Sequence, residues 1–224
     1  MPEHVHVHVP HELGEAERSE RTRERVMEFV AALLLSIATI AVAWSGYQAA
    51  RWSGLQSQHY TEASAARSLA NRAAVFESRQ QTQDLLNFNR WLEATENGDA
   101  TLSALYERRF RAEFVPAFKA WLAQDPLLNP AAIASPLSME EYKPAELVRS
   151  NRLERRAHEL FEQGREATEN TDAYIFTTLF FAAVMFFAAM SLRFDWTAAR
   201  IAVLVIAGVL MIYGIVRVAG LPVY

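Results

Sequence analysis

Apolar positions along the chain gather in three long blocks. The segments between them place apolar residues three and four apart, the spacing of one face of a helix. The blocks are "VMEFVAALLLSIATIAVAWSGY", "AYIFTTLFFAAVMFFAAMSL" and "IAVLVIAGVLMIYGIV". The first carries one charge, Glu28, the second none, and the third is bounded by Arg200 and Arg217. A hydrocarbon layer of ~30 Å needs ~20 helical residues. The pattern therefore predicts membrane helices over 26–47, 173–193 and 200–218, with the arginines of the third reaching out to the headgroups.

Between the first two blocks, residues 48–172 read as helical throughout. From Leu55 to Asn97 there is neither Gly nor Pro, and strong helix formers dominate, so one helix is expected to continue out of the first span. Gly98 is the expected stop and Asp99 the cap of the next helix. That helix is expected to carry Leu102, Leu105, Tyr106, Phe110, Phe114, Phe118 and Trp121 on one stripe, kinked or restarted at Pro116. The stretch 124–144 holds four prolines and reads as loop, with a short capping-box helix at Ser138 and Glu141. Leu153, Ala157, Leu160, Gly164, Ala167, Thr171 and Tyr174 then form a heptad-like seam leading into the second span. The expected fold is all-α: an integral membrane protein with three transmembrane helices and an antiparallel helical-bundle outer domain. A tail (1–25), a short loop (194–199) and a second tail (219–224) complete it.

Arginine placement gives the orientation. Arg18, Arg21, Arg23 and Arg25 precede the first span, and Arg193 and Arg200 flank the loop between the second and third. The positive-inside rule puts both at the cytoplasmic face of a bacterial inner membrane and residues 48–172 in the periplasm. Trp44, Tyr47, Trp52 and Trp196 are the expected interfacial anchors. Ala41 and Ala43 also have the small-residue form of a signal-peptidase site, so a cleaved leader is the alternative to a retained anchor.

The net charge of −4 gives no case for nucleic acid, and the absence of cysteine excludes disulfides and thiol chemistry. His4, His6, His8 and His11 in the N-terminal tail are the candidate metal ligands, because alternation along extended chain projects the first three to one side. Incidental histidines in a polar tail are the plainer reading. His59 and His158 stand alone. On a helix Arg108 and Arg111 would share a face and Arg109 would not, which favours a solvated surface over an anion site. The amide-rich stretch 77–91 fits a polar layer of a bundle or a ligand pocket. No nucleophile, acid–base pair, phosphate loop or cofactor motif is present, so neither enzymatic activity nor a cofactor is expected. The spans lack the intramembrane charges of ion-coupled transporters.

"AVAWSGYQAARWSG" repeats Trp-Ser-Gly eight residues apart. On a helix it carries two lines of small residues: Ala41, Ser45, Ala49 and Ser53, and Val42, Gly46, Ala50 and Gly54. Ser45, Gly46, Ala49, Ala50, Ser53 and Gly54 are therefore the expected helix-packing seam. Its expected partner is the second span, through Ala182, Ala183, Ala188 and Ala189; a second copy of the first span is the rival. With "ERRFRAEFVPAFKAWLAQDPLLNP" and the closing anchors, this stretch resembles a group of bacterial membrane proteins. They share a Trp-Ser-x-Tyr-Gln-x-x-Arg-Trp-Ser-Gly anchor end, a helical insert and C-terminal spans. The resemblance implies this layout and no residue roles. The layout is also similar to a chemoreceptor sensor domain, without a signalling region. The expected function is non-enzymatic: a membrane protein, associated with the bilayer and with copies of itself or another membrane protein, whose outer bundle binds a partner or ligand. A homo-oligomeric channel and a metal response through the His tail are the alternatives.

Overall fold

The computed structural model describes the backbone from His11 and the side chains from Arg18, each to Tyr224. The described residues are predominantly helical and contain no strand. Among the described residues five α-helices follow in order: α1 (His11–Glu96), α2 (Ala100–Glu107), α3 (Val115–Leu122), α4 (Ala145–Ser191) and α5 (Thr197–Ala219). Two compact units result, one made of residues up to 56 with Arg165–Tyr224, the other of Ser57–Gly164. Both α1 and α4 run through the two.

Several expected boundaries move. Residues 11–25 already belong to α1 rather than to a tail. The link between α4 and α5 is 192–196, not 194–199, because α5 starts at Thr197, and Ala219 still belongs to it. The stripe expected of one helix from Leu102 to Trp121 is divided between two. After Glu107 the chain leaves the helix for seven residues, and Pro116 lies in the first turn of α3, where its missing N–H costs nothing. No residue of α2 is buried. The short helix expected at Ser138 is a 3-10 turn, Pro136–Ser138, capped from the other end by the Ser135 hydroxyl, which accepts from Leu137 N–H.

The first unit packs three helices, each long and apolar enough to cross a membrane. Small residues on α1 at heptad spacing (Ala31, Ala38, Ser45) are buried, as is a stripe on α4 running Tyr174, Thr177, Phe181, Val184, Ala188, Ser191. On α5 the buried line is Leu204, Ala207, Met211 and Gly214. Only 11%, 28% and 22% of the three most apolar windows are buried within the chain, so most of their surface demands a lipid environment or a further helix.

In the second unit α1 and α4 run antiparallel, with Tyr60 against Phe161 and the Ser150 hydroxyl donating to Ala70 O at 3.0 Å. Their contact is close because the facing residues are small: Ala63, Ala66, Ala70 and Ala73 on α1, Ala157 and Gly164 on α4. A Cβ at Gly164 would come within 2.7 Å of the Tyr60 ring, so glycine is required there. Gly98 has φ +73°, the left-handed conformation that closes a helix, and Asp99 N–H returns to Ala94 O at 2.9 Å. Asp99 then caps α2 by accepting from Leu102 N–H.

Candidate functional site

The inward face of α1 has three zones within the second unit. It is alanine from Ala63 to Ala73, polar at Glu77, Gln80 and Asp84, and aromatic at Phe88 and Trp91. The aromatic zone meets Phe110, Phe114, Phe118 and Trp121 in one buried cluster. Phe118 stands edge-on to Trp91 at 4.8 Å and to Phe110 at 4.8 Å. The proline-rich stretch is fastened to it: Trp121 Nε1 donates to Ile133 O at 2.6 Å, and Gln124 Oε1 accepts from Ile133 N at 2.9 Å.

The polar zone meets Arg111, and here the loss of helix after Glu107 is decisive. On a continuous helix Arg111 would follow Arg108 to the surface; in the turn it points back at α1. Its guanidinium donates to both carboxylate oxygens of Asp84 at 2.7–3.1 Å, to Gln80 Oε1, and to Glu113 Oε2 at 3.0 Å. Asp84 is 1% exposed. The Tyr142 hydroxyl donates to Asp84 Oδ2 at 3.1 Å, and Glu113 Oε1 accepts from Ala145 N at 3.4 Å, in the first turn of α4. Arg111 thus ties its turn to α1, and its acceptors Asp84 and Glu113 in turn take the Tyr142 hydroxyl and the first turn of α4. Its hydrogen bonds to Asp84 hold the Arg111 proton more firmly than usual. Burial, and then the Asp84 carboxylate, push the Tyr142 hydroxyl up.

Glu77 completes the zone but is not satisfied by it. It is 6% exposed, and its Oε2 is buried without a hydrogen-bond partner. Burial pushes its carboxyl above the ordinary value of 4.5; Arg111 opposes this, and Glu113 and Asp84 add to it. A carboxyl raised in the folded state binds its proton more tightly than in the unfolded chain. Stability therefore falls as pH rises from about 4.5 through the folded value. Glu77→Gln is expected to flatten that decline in unfolding midpoints taken between about pH 4 and 8. Parallel profiles for the variant and the native chain would show that Glu77 is not the group responsible.

In the first unit, the repeated Trp-Ser-Gly stretch meets the C-terminal segment. Gln48 Oε1 accepts from Tyr224 N at 3.0 Å, and the Arg51 guanidinium lies 4.2 Å from the centre of the Tyr224 ring. Trp52 Nε1 donates to Pro222 O at 3.2 Å, and its ring stands edge-on to Tyr224 at 5.8 Å. Tyr174 of α4 donates to the same Pro222 oxygen at 3.1 Å. Trp52 is thus half-buried against protein, while Trp44, Tyr47 and Trp196 are exposed. Tyr224→Ala is expected to cost about 1–2 kcal/mol, through the ring pair and the cation–π contact, read as a lower thermal midpoint.

Of the six seam residues, Ser45 and Ala49 are buried within the chain; Gly46, Ala50, Ser53 and Gly54 are exposed. On α4, Ala188 is buried and Ala183 half-buried, while Ala182 and Ala189 are exposed. Ser45 Oγ and Gln48 Nε2 are buried without partners. His4, His6 and His8 lie outside the described residues, as does the side chain of His11. Among the described residues no group of three or more metal-ligating side chains comes together. The residues that do come together, Glu77, Asp84, Arg111, Glu113 and Tyr142, are dispersed in the sequence, and the amide-rich stretch 77–91 was the one signal pointing to them. No protein-family model, curated protein or solved structure matches the chain.

Proposed function

We propose that this chain is a non-enzymatic protein of the bacterial inner membrane. Its N-terminus is cytoplasmic, and its periplasmic residues 48–172 bind a partner in an accessory or sensory role. The observation that carries this reading is how the second unit uses its polar groups. Those gathered at Arg111, Glu77 Oε2 apart, bond to one another and serve to join segments. The α1–α4 pair, by contrast, leaves two open grooves that meet at Arg67. One, of about 470 Å³, presents Tyr60, Ser64, Ser68 and Asn71; the other, of about 570 Å³, presents Asn151, Arg155 and His158. Shallow, open grooves lined with hydroxyl, amide and charged groups fit the rim chemistry of a protein interface better than an enclosed small-molecule pocket. Kinship with the bacterial proteins that share the Trp-Ser-x-Tyr-Gln-x-x-Arg-Trp-Ser-Gly end belongs to the same reading. A photo-crosslinking residue placed at Ser64 or His158 in cells should give a discrete adduct, and the same residue at Leu128 should not. No adduct from either groove position, or equal labelling from all three, would defeat the proposal.

Self-association is a second reading, favoured by the Gly46, Ala50, Gly54 line. A Cβ at Gly46 or Gly54 would have no neighbour within 4 Å, so these close-approach positions are unused within one chain. Gly46→Leu should leave the thermal midpoint of the single chain unchanged and lower the native mass of an oligomer in mild detergent. An unaltered native mass would rule this face out.

A further inference from the structure

At the end of the first unit where α5 begins, α1 and α5 part to leave a groove of about 320 Å³. Val26, Met27 and Ile201 form its apolar walls, and Thr22, Arg23 and Thr197 its polar mouth. The position along both helices is informative. Val26 opens the apolar block of α1 and Ile201 that of α5, so the mouth lies where hydrocarbon gives way to headgroups. Trp196 and Phe194, exposed at the start of α5, mark the same level with the residues that favour it.

Two arginines bear on the mouth: Arg23, which lines it, and Arg200, beside Ile201 and loosely paired with Glu28. Arg23 is exposed and forms no ion pair among the described residues. Arg200, one turn into α5, keeps only 12% of its side chain exposed and faces a carboxylate, Glu28, no closer than 3.8 Å. Its Nε is buried without an acceptor. The first amides of α5 add to this, since Trp196 at the cap position supplies no side-chain acceptor. A guanidinium prefers a planar, bidentate oxyanion, and a phosphate diester offers one.

We infer that this groove is a binding site for an anionic phospholipid: one acyl chain lies along Val26, Met27 and Ile201, and the phosphate sits between Arg23 and Arg200. Basic pockets between membrane helices that recognise charged headgroups follow this chemistry. The inference rests on α1 and α5 crossing a membrane and is independent of what the second unit binds.

The test is native mass spectrometry of the full chain released from mild detergent, with phosphatidylglycerol or phosphatidylcholine of matched chain length added. Phosphatidylglycerol should be retained on a several-fold larger fraction of molecules. Arg23→Gln, at an exposed position that folding does not use, should remove the preference, and Ile201→Trp, which fills the groove, should lower retention of both lipids. Arg25→Gln, on the opposite side of α1, should change nothing. Equal retention of the two lipids by the native chain would overturn the inference. So would equal losses from Arg23→Gln and Arg25→Gln, which mark diffuse attraction to basic sequence.

Discussion

Arg111→Met is expected to destabilise the Ser57–Gly164 unit by about 3–5 kcal/mol, the cost of breaking a buried ion pair from one side. Asp84 is 1% exposed, and in the variant its carboxylate keeps only the Tyr142 hydroxyl as a donor. Glu77 and Glu113 remain close by, so three carboxylates lose the one guanidinium they share. The Arg111 side chain retains 22% exposure, which lets water soften the loss and places the effect toward the lower end. Denaturant unfolding of the full chain, followed by the fluorescence of Trp91 and Trp121, reads the change. Removing both partners, as Asp84→Leu with Arg111→Met, should restore much of it, because an apolar pair leaves no buried charge behind. Arg111→Lys should fall between, since one ammonium cannot reproduce the fork to Asp84 together with the bonds to Gln80 and Glu113. If the single and double variants lose the same stability, the pair contributes packing and not charge pairing.

Phe118→Ala should be of similar size, about 3–5 kcal/mol, by the cost of a cavity in an aromatic core. Phe118 is 1% exposed and meets four other rings, those of Trp91, Phe110, Phe114 and Trp121. Pairing this change with Trp91→Leu should reveal a coupling of about 0.5–1.5 kcal/mol for the edge-to-face contact itself. Leu128, 89% exposed in the proline-rich stretch, is the control: Leu128→Ala should stay within about 0.5 kcal/mol. A loss below about 1 kcal/mol for Phe118→Ala would mean that the aromatic cluster is not what holds α3 to α1.

How much of this was legible beforehand depended on the range of the interactions involved. The close of α1 at Gly98, the cap at Asp99 and the unbroken passage of the Leu153–Tyr174 seam into the second span all follow from residues within one or two helical turns. Helix stops and apolar periodicity are local, so the sequence shows them. Spacing and Pro116 predict the break between α2 and α3 at the proline, and it comes at Arg108, although Arg108, Arg109 and Phe110 are all acceptable in a helix. What stops the helix is tertiary: Phe110 and Phe114 are drawn into the cluster with Phe88, and Arg111 to Asp84, twenty-seven residues away in the chain. Periodicity alone had sent the same arginine to the surface.

The Trp-Ser-Gly stretch divides in the same manner. Its small residues were legible as a close-packing surface, and Ser45 and Ala49 are indeed covered within the chain. Gln48, Arg51 and Trp52 looked like the wet end of a membrane helix. Their engagement with Pro222 and Tyr224 joins positions 170–176 residues apart, beyond what spacing can express.

By itself, then, the sequence determined the all-helical class, the three apolar helices and the points where α1 ends and α2 begins. Each of these depends on side-chain volume, hydropathy and backbone preference at neighbouring positions. Only the tertiary structure decided which polar residues meet: Arg111 with Asp84, Gln80 and Glu113, and Gln48 and Trp52 with the C-terminal segment. Partners for a buried charge or amide come from wherever the fold brings them, because burying such a group unpaired costs more than local preference returns.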